Sequence, residues 1–540
     1  MNAKFPLAFD PLHYPYPSRR SVVYAKNGMV ATSQPLAAQA GLAILRRGGN
    51  AVDAAVATAA CLTVVEPTSN GIGGDAFALV WSGGGLHGLN ASGPAPAGLT
   101  IGEIAKAGHT AMPLSGWLPV TVPGAPAAWA ALVERFGRLS LAEVLQPAID
   151  YAETGYPLSP VVSWLWELSY RRFAAEKGEQ FLPWFATFAP EGRAPRAGEI
   201  WRSTDHGQTL RRIAETKAAN FYRGDLAEKI AAFAHAYGGY LRAADLAAFS
   251  PEWVEPIHIN YRGYDVWEIP PNGHGLVTLI ALNILKGFDF DAKETVETYH
   301  RQIEAIKLAF ADGLAHIAAP GSMKVAVADL LSDAYAAERR KLISRAALTP
   351  APGSPPGGGT VYLATADGDG NMVSYIQSNY MGFGSGLVVP GTGIALHNRG
   401  ANFVLDPGHP NCLEPGKKPY HTIIPGFLTR GSRAIGPFGV MGAFVQPQGH
   451  LQMIMNTVDF GLNPQAALDA PRWQWTKGKT IEIEHQFPQA LAEDLSRRGH
   501  DIQRPLSNLA MGRGQIIWRL ENGVLVGGSE PRTDGQVAAW

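Results

Sequence analysis

A chain of 540 residues with 46% apolar and 17% charged residues has material for a large core. Its formal net charge of -1 excludes the basic excess of a nucleic-acid binder and the acidic excess of a solvating tail, leaving a small molecule or another chain as partner. The length admits roughly two to four domains, or one large α/β unit.

The first twenty residues hold four prolines and no continuous apolar run of the kind a secretory signal needs, so a cytoplasmic location is expected. Residues 33–48 read as a helix, with Ser33 as N-cap, Pro35 in the first turn and Gly48 as the stop. The run AVDAAVATAACLTVV (51–65) is too short for a membrane span and carries Asp53, so it reads as a buried core helix. EPTSNGIGGD follows it. This Gly-rich loop lies between a helix and a strand and lacks a Gly-Lys-Ser/Thr, so it does not fit a phosphate cradle; it reads as a turn bringing backbone close to another element. AFALVW (76–81) and LHGLNAS (86–92) form a hairpin across SGGG.

From about 124 to 345 the periodicity is helical, interrupted by a strand pair at 258–269. LTPAPGSPPGGG (348–359) then reads as a flexible or extended linker. Beyond it the texture changes to short strands: VYLATA, MVSYIQS, GIALHN, AIGPFGVMG, TIEIEH, GQIIWRL and GVLVGG. Cys61 and Cys412 make neither a metal spacing nor a disulfide framework, and read as independent thiols.

The linker ends directly on Thr360. TVYLATA and MVSYIQS alternate as strands do, and DGDGN between them has turn chemistry. If the hairpin is symmetric about Asp369, residues whose numbers sum to about 738 face each other, which places Ser378 opposite Thr360 unless a bulge intervenes. As a calcium loop DGDGN fails, because Met372 stands where a glycine is needed and Ser378 where a glutamate is needed. A hydroxyl at a strand start after three glycines instead suggests an N-terminal nucleophile. Thr360 would attack the Gly359 carbonyl, and hydrolysis of the ester would free an α-amine with a reference pKa of about 7.7–8.0. That amine can serve as general base for its own hydroxyl. No G-x-S-x-G elbow offers another nucleophile. The plain alternative is a β-forming threonine after an interdomain linker.

The chain resembles the γ-glutamyltransferase (glutathione hydrolase) family of N-terminal nucleophile hydrolases. The likeness is carried by GMVATSQPLAAQAGLAILRRGGNAVDAAVATAACLTVVEPTSNGIGGDAFALV, VPGAPAAWAALVERFGRLSLAEVLQPAIDYAETGYPLS, GTVYLATADGDGN, FGSGL, DFGLNPQAALDAPR and EPRTDGQVAAW. The resemblance implies an α/β fold, a four-layer αββα sandwich, without cofactor or metal. It also implies cleavage between Gly359 and Thr360 into interleaved chains 1–359 and 360–540, and admits a dimer of such pairs. By the same likeness Ser378 supports the nucleophile, and Gly442 and Ala443 form the oxyanion hole through backbone N–H groups.

The family's glutamate-recognition residues do not carry over. Ser92 stands at the place of an arginine that grips the substrate α-carboxylate, and Asn402 at that of an aspartate that holds the α-amine. Arg399 stands at the place of a glutamine, and His421 and Thr422 at that of paired serines. Loss of a bidentate Arg–carboxylate clamp removes both energy and orientation. Arg399 is therefore a candidate to meet a carboxylate from another angle, and His421 to touch the substrate; a surface arginine and a structural histidine are the plain alternatives. The function implied is hydrolysis or transfer of γ-glutamyl amides such as glutathione. The alternatives are an amidase for another small acyl amide (oxamate, glutaryl or cephalosporin-type) and, from a different class, an uncleaved binding protein. No nucleic-acid or membrane partner is expected.

Overall fold

The computed structural model describes Tyr16 and residues 20–350 and 359–540; the greater part of the 348–359 linker and of the first twenty residues lies outside these. Two seven-stranded antiparallel sheets form the centre. The first runs, in spatial order, Gln536–Ala539, Gly28–Thr32, Gly359–Asp367, Met372–Tyr380, Asp75–Ser82, Gly85–Ala91 and Glu252–Val254. The second runs Val23–Ala25, Leu525–Ser529, Arg513–Arg519, Arg433–Met441, Gly426–Arg430, Tyr264–Glu268 and Ile257–Tyr261. Both sheets combine strands from before and after Thr360, so the helix-rich and strand-rich parts share one core.

Strand alternation sorts the side chains into layers. Val361 and Leu363 pack with the helix Ala51–Val65, while Tyr362, Ala364 and Ala366 pack with Phe427, Met441 and Ile517 of the second sheet. Burying each of Phe77, Ile376, Phe427 and Ile517 between the sheets contributes about 1.5–3 kcal/mol. Helices Gly275–Leu285, Val296–His316 and Gln446–Val458 cover the outer face of the second sheet. The order is thus helix, sheet, sheet, helix, as the resemblance implies. Gly439 permits the sheets to approach, since a Cβ there would lie 2.4 Å from the Tyr362 ring.

Helix Ala51–Val65 is buried on every side, as a helix apolar all round must be. Asn50 caps it in a box with Asp53, and Asp367 accepts a further hydrogen bond from the Ala51 N–H at 2.9 Å. The preceding helix is Pro35–Arg46, one turn element shorter than expected: Gln34 caps it, because Ser33 donates instead to Glu66. GIALHN is not a strand. It makes only single bridges, Gly73 with Leu396 and Val388 with Ala395. A Cβ on Gly73 would come within 2.5 Å of the Ala395 oxygen, so the Gly-rich loop does bring two backbones together. Cys61 and Cys412 are free and buried. Among the described residues no helix is long and apolar enough to cross a membrane.

Candidate active site

The hairpin pairs Val361 with Gln377 through Ala366 with Met372, the register expected from its turn. At the open end Gly359 pairs with Tyr380, so a bulge falls at Thr360 itself. Thr360 is buried, and its Oγ1 lies 3.2 Å from Ser378 Oγ. The Tyr380 N–H donates to Ser378 Oγ at 2.7 Å. Tyr380 adopts a left-handed φ of 71°, a strained conformation for a bulky residue, and its ring lies 4.9 Å from the Arg399 guanidinium carbon.

The strand Arg433–Met441 crosses the hairpin with a direction that can be read from two contacts. A Cβ on Gly436 would lie 3.0 Å from Met372, near the turn, and one on Gly439 would meet Tyr362, near the open end. Gly442 and Ala443 therefore follow at the end where Thr360 begins. Gly442 has φ 132° and Ala443 φ 53°. The alanine thus occupies a left-handed conformation that costs an L-residue about 1–2 kcal/mol, and two backbone N–H groups are set in succession there.

Beside Ser378 in the sheet register stands Asp75. Sequence reasoning assigned it no role, yet it is the centre of the charged cluster. Arg399 donates to it from Nε at 2.8 Å and Nη2 at 3.2 Å; His421 Nε2 lies 2.7 Å and His397 Nδ1 3.2 Å from Asp75 Oδ2. All four side chains are fully buried. Burial alone would push the Asp75 carboxyl up, but Arg399 and His421, with the histidine hydrogen bonds, hold it well below the usual carboxylate range. Burial, then the Arg399 charge, pushes His421 down to about 4, so the imidazole is neutral at pH 7. Arg399 is therefore not a surface arginine, and the carboxylate it grips is the protein's own. Its Nη1 donates to Thr422 Oγ1 at 2.7 Å, which brings Thr422 into the same cluster. The only local sign of Asp75 in the sequence is its place after Gly73-Gly74 at the start of a strand.

Ser92 is buried in a neighbouring amide cluster, donating to Asn90 Oδ1 at 2.7 Å; Asn90 in turn donates to Asn272 Oδ1 at 3.0 Å. The two clusters meet through backbone, since the His421 N–H donates to the Asn272 carbonyl at 2.9 Å. Asn402 closes the short turn Arg399–Asn402, and its Nδ2 is buried with no hydrogen-bond partner among the described residues. The DGDGN turn is structural: Asp367 binds the Asn371 backbone and the Ala51 N–H. Elsewhere, His300, Glu304 and His500 offer ligand atoms within 4.8 Å of one another. The Lys307 ammonium lies 2.7 Å from Glu304 and 3.3 Å from His500, so a cation already occupies that cluster.

Residues 37–540 match the family model described as gamma-glutamyltranspeptidase. The "glutathione hydrolase-like YwrD proenzyme" of Bacillus subtilis is 38% identical, covering 96% of this chain and 99% of its own. The "oxamate amidohydrolase proenzyme" of Klebsiella pneumoniae is 35% identical over 95% and 98% of the two chains. A crystal structure of cephalosporin acylase from Bacillus halodurans superposes with a TM-score of 0.95 at 65% identity, covering 98% of this chain and 99% of that one. With the sandwich, the Thr360–Ser378 pair and a whole-chain match in agreement, the protein belongs to the gamma-glutamyltranspeptidase family of amide hydrolases and acyltransferases.

Proposed function

We propose that Thr360 is both the cleavage site and the nucleophile of a self-processing amidase. The observation that carries this is the buried Thr360 Oγ1, 3.2 Å from Ser378 Oγ and directly after Gly359. In maturation Oγ1 attacks the Gly359 carbonyl carbon, the C–N bond breaks, and an ester joins Gly359 to Thr360. Water then cleaves the ester, leaving a carboxylate on Gly359 and an α-amine on Thr360. In catalysis that amine takes the Oγ1 proton while Oγ1 attacks the substrate amide. The N–H groups of Gly442 and Ala443 receive the oxyanion. The proton passes to the leaving amine, and water, or an acceptor amine, releases the acyl group. Ser378 holds Oγ1 in place with its hydroxyl.

For the acyl group, the geometry supports one without an α-ammonium, of glutaryl or oxamate type. Asp75 is committed to Arg399 and His421, so it is no free anion for an ammonium, whereas Asn402 Nδ2 is a donor without a partner. The name of the Klebsiella relative favours the same reading, and that of the Bacillus halodurans relative favours an amidase for a cephalosporin-type amide. A second reading, γ-glutamyl amides, is favoured by the Bacillus subtilis relative. Hydrolysis of glutaryl-p-nitroanilide against γ-glutamyl-p-nitroanilide by one purified preparation separates them: a larger kcat/KM for the γ-glutamyl compound refutes the first. Thr360→Ala is expected to leave a single uncleaved, inactive chain on a denaturing gel, and a cleaved or active variant refutes the mechanism.

A further inference from the structure

The strands Gly426–Arg430 and Arg433–Met441 pair no further than Gly426 with Phe438. Beyond that point they part, one running back to Thr422 and His421 of the Asp75 cluster, the other on to Gly442 and Ala443. Two side chains from the start of helix Gln446–Val458 take up main-chain N–H groups there instead. Gln446 Oε1 accepts the Ile424 N–H at 2.9 Å, and His450 Nε2 accepts the Val440 N–H at 3.1 Å. Both side chains are fully buried.

His450 can do this in one tautomer only. A main-chain N–H donates and never accepts, so Nε2 carries the lone pair and Nδ1 the hydrogen, which Glu268 Oε1 accepts at 2.7 Å. Glu268 ends the neighbouring strand, opposite Gly426, and is itself wedged: a Cβ on Gly275 would lie 2.6 Å from the Glu268 Cβ. The helix lies equally close to the oxyanion strand, since a Cβ on Gly449 would come 2.7 Å from Val440 Cγ2. The Val440–His450 bond thus closes a loop of residues 440–450 around the turn that carries Gly442 and Ala443. Ala443 holds its left-handed φ of 53° inside that loop, and such a conformation persists only where the surroundings fix it.

We propose that His450, oriented by Glu268, is the positioning residue of the oxyanion hole: by holding the Val440 N–H it fixes where the Gly442 and Ala443 N–H groups point. Fully buried, it acts through the turn and not on substrate. It should therefore stabilise the charge that develops on the reacting carbonyl and leave ground-state binding of the acyl group alone. The proposal rests on the threonine amidase reading, in which those two N–H groups receive the oxyanion.

A boronic acid in place of the acyl carbonyl tests it. Boron bonds Thr360 Oγ1, the Oγ1 proton goes to the α-amine, and the tetrahedral adduct sets a hydroxyl at the oxyanion position. The probe is 4-boronobutanoate with glutarate as its ground-state counterpart, or 2-amino-4-boronobutanoate with glutamate where the γ-glutamyl anilide is preferred. His450→Asn keeps a donor for Glu268 but is too short to reach Val440, whereas His450→Gln reaches it with an acceptor oxygen. In the mature protein His450→Asn should weaken boronate binding and lower kcat by about tenfold or more, with KM and the Kd of the carboxylate unchanged. His450→Gln should recover most of that loss. Equal losses for boronate and carboxylate, no loss in His450→Asn, or a His450→Gln no better than His450→Asn overturn the proposal. If His450→Asn does not fold or mature, Gly449→Ala decides: it pushes the helix off Val440 and should raise the boronate Kd alone, and an unchanged Kd overturns the proposal. A wild type that neither hydrolyses the anilides nor binds the boronates refutes the amidase reading instead.

Discussion

Two buried ion clusters in the molecule are built on opposite principles. Asp75 gathers Arg399, His397 and His421 next to Ser378, from segments more than 300 residues away in the chain. Glu304 and Lys307 sit one turn apart on a single helix, with His300 and His500 against them; together they hold both backbone groups of Leu348, whose N–H donates to Glu304 at 2.8 Å and whose carbonyl accepts from Lys307 at 3.1 Å. The first cluster rests on a guanidinium that stays charged at any ordinary pH. The second rests on an amine, Lys307, whose pKa burial pulls down, so that it can shed its charge by losing a proton. One is a fixed electrostatic frame beside Ser378, and the other is a tether on Leu348, before the 351–358 stretch, whose strength depends on pH.

Substitutions that remove one partner distinguish the two. Thr360→Ala sets the outer limit, total loss of cleavage and turnover, against which effects of either cluster on the cleavage rate are read. Asp75→Asn leaves Arg399 buried without its anion and should cost about 3–5 kcal/mol in urea unfolding, with little change between pH 5 and 8. Glu304→Gln leaves Lys307 buried without its anion; burial already pulls the Lys307 pKa down, so the cost, about 1–3 kcal/mol, grows as the pH falls and the ammonium keeps its proton. A pH-independent loss in Glu304→Gln, or a pH-dependent one in Asp75→Asn, would break the contrast.

A pH-dependent effect of comparable size follows from the neutral histidines. Burial holds both His421 and His206 down to about 4. In the unfolded chain an imidazole takes up its proton near pH 6.5. Between these values the unfolded state binds more protons, so stability is complete above about pH 6.5 and is lost as the pH falls toward 4. Unfolding free energies that stay flat from pH 7 to 4 would contradict the buried neutral assignment. The smallest expected change is Ala443→Gly. It relieves a left-handed alanine but frees the unfolded chain, for a net gain of at most about 1 kcal/mol; a clear fall in melting temperature would show that the methyl group makes contacts that matter more than the strain.

The hairpin was legible because its register depends on nearby residues: a turn at Asp369 and alternation on either side are enough to put Ser378 beside Thr360. The Gly-rich loop was legible for a similar reason, since glycines 71, 73 and 74 mark a close approach even when the partner is unknown. The partner itself, the 394–396 backbone, was misread as a strand because its alternation is that of buried loop residues packed on both sides. Arg399 and His421 were picked out by their departure from the family pattern, but their common partner Asp75 was not.

The amino-acid sequence by itself determined the Thr360–Ser378 pairing, the layer order and the family, because each is written in local periodicity or in long stretches of matching residues. Only the tertiary structure decided that Arg399 is spent on Asp75, that Ala443 turns left-handed, and that His450 takes the Val440 N–H. Those outcomes depend on which distant segments meet at low dielectric, where a charge takes whichever partner the packing brings within hydrogen-bond range.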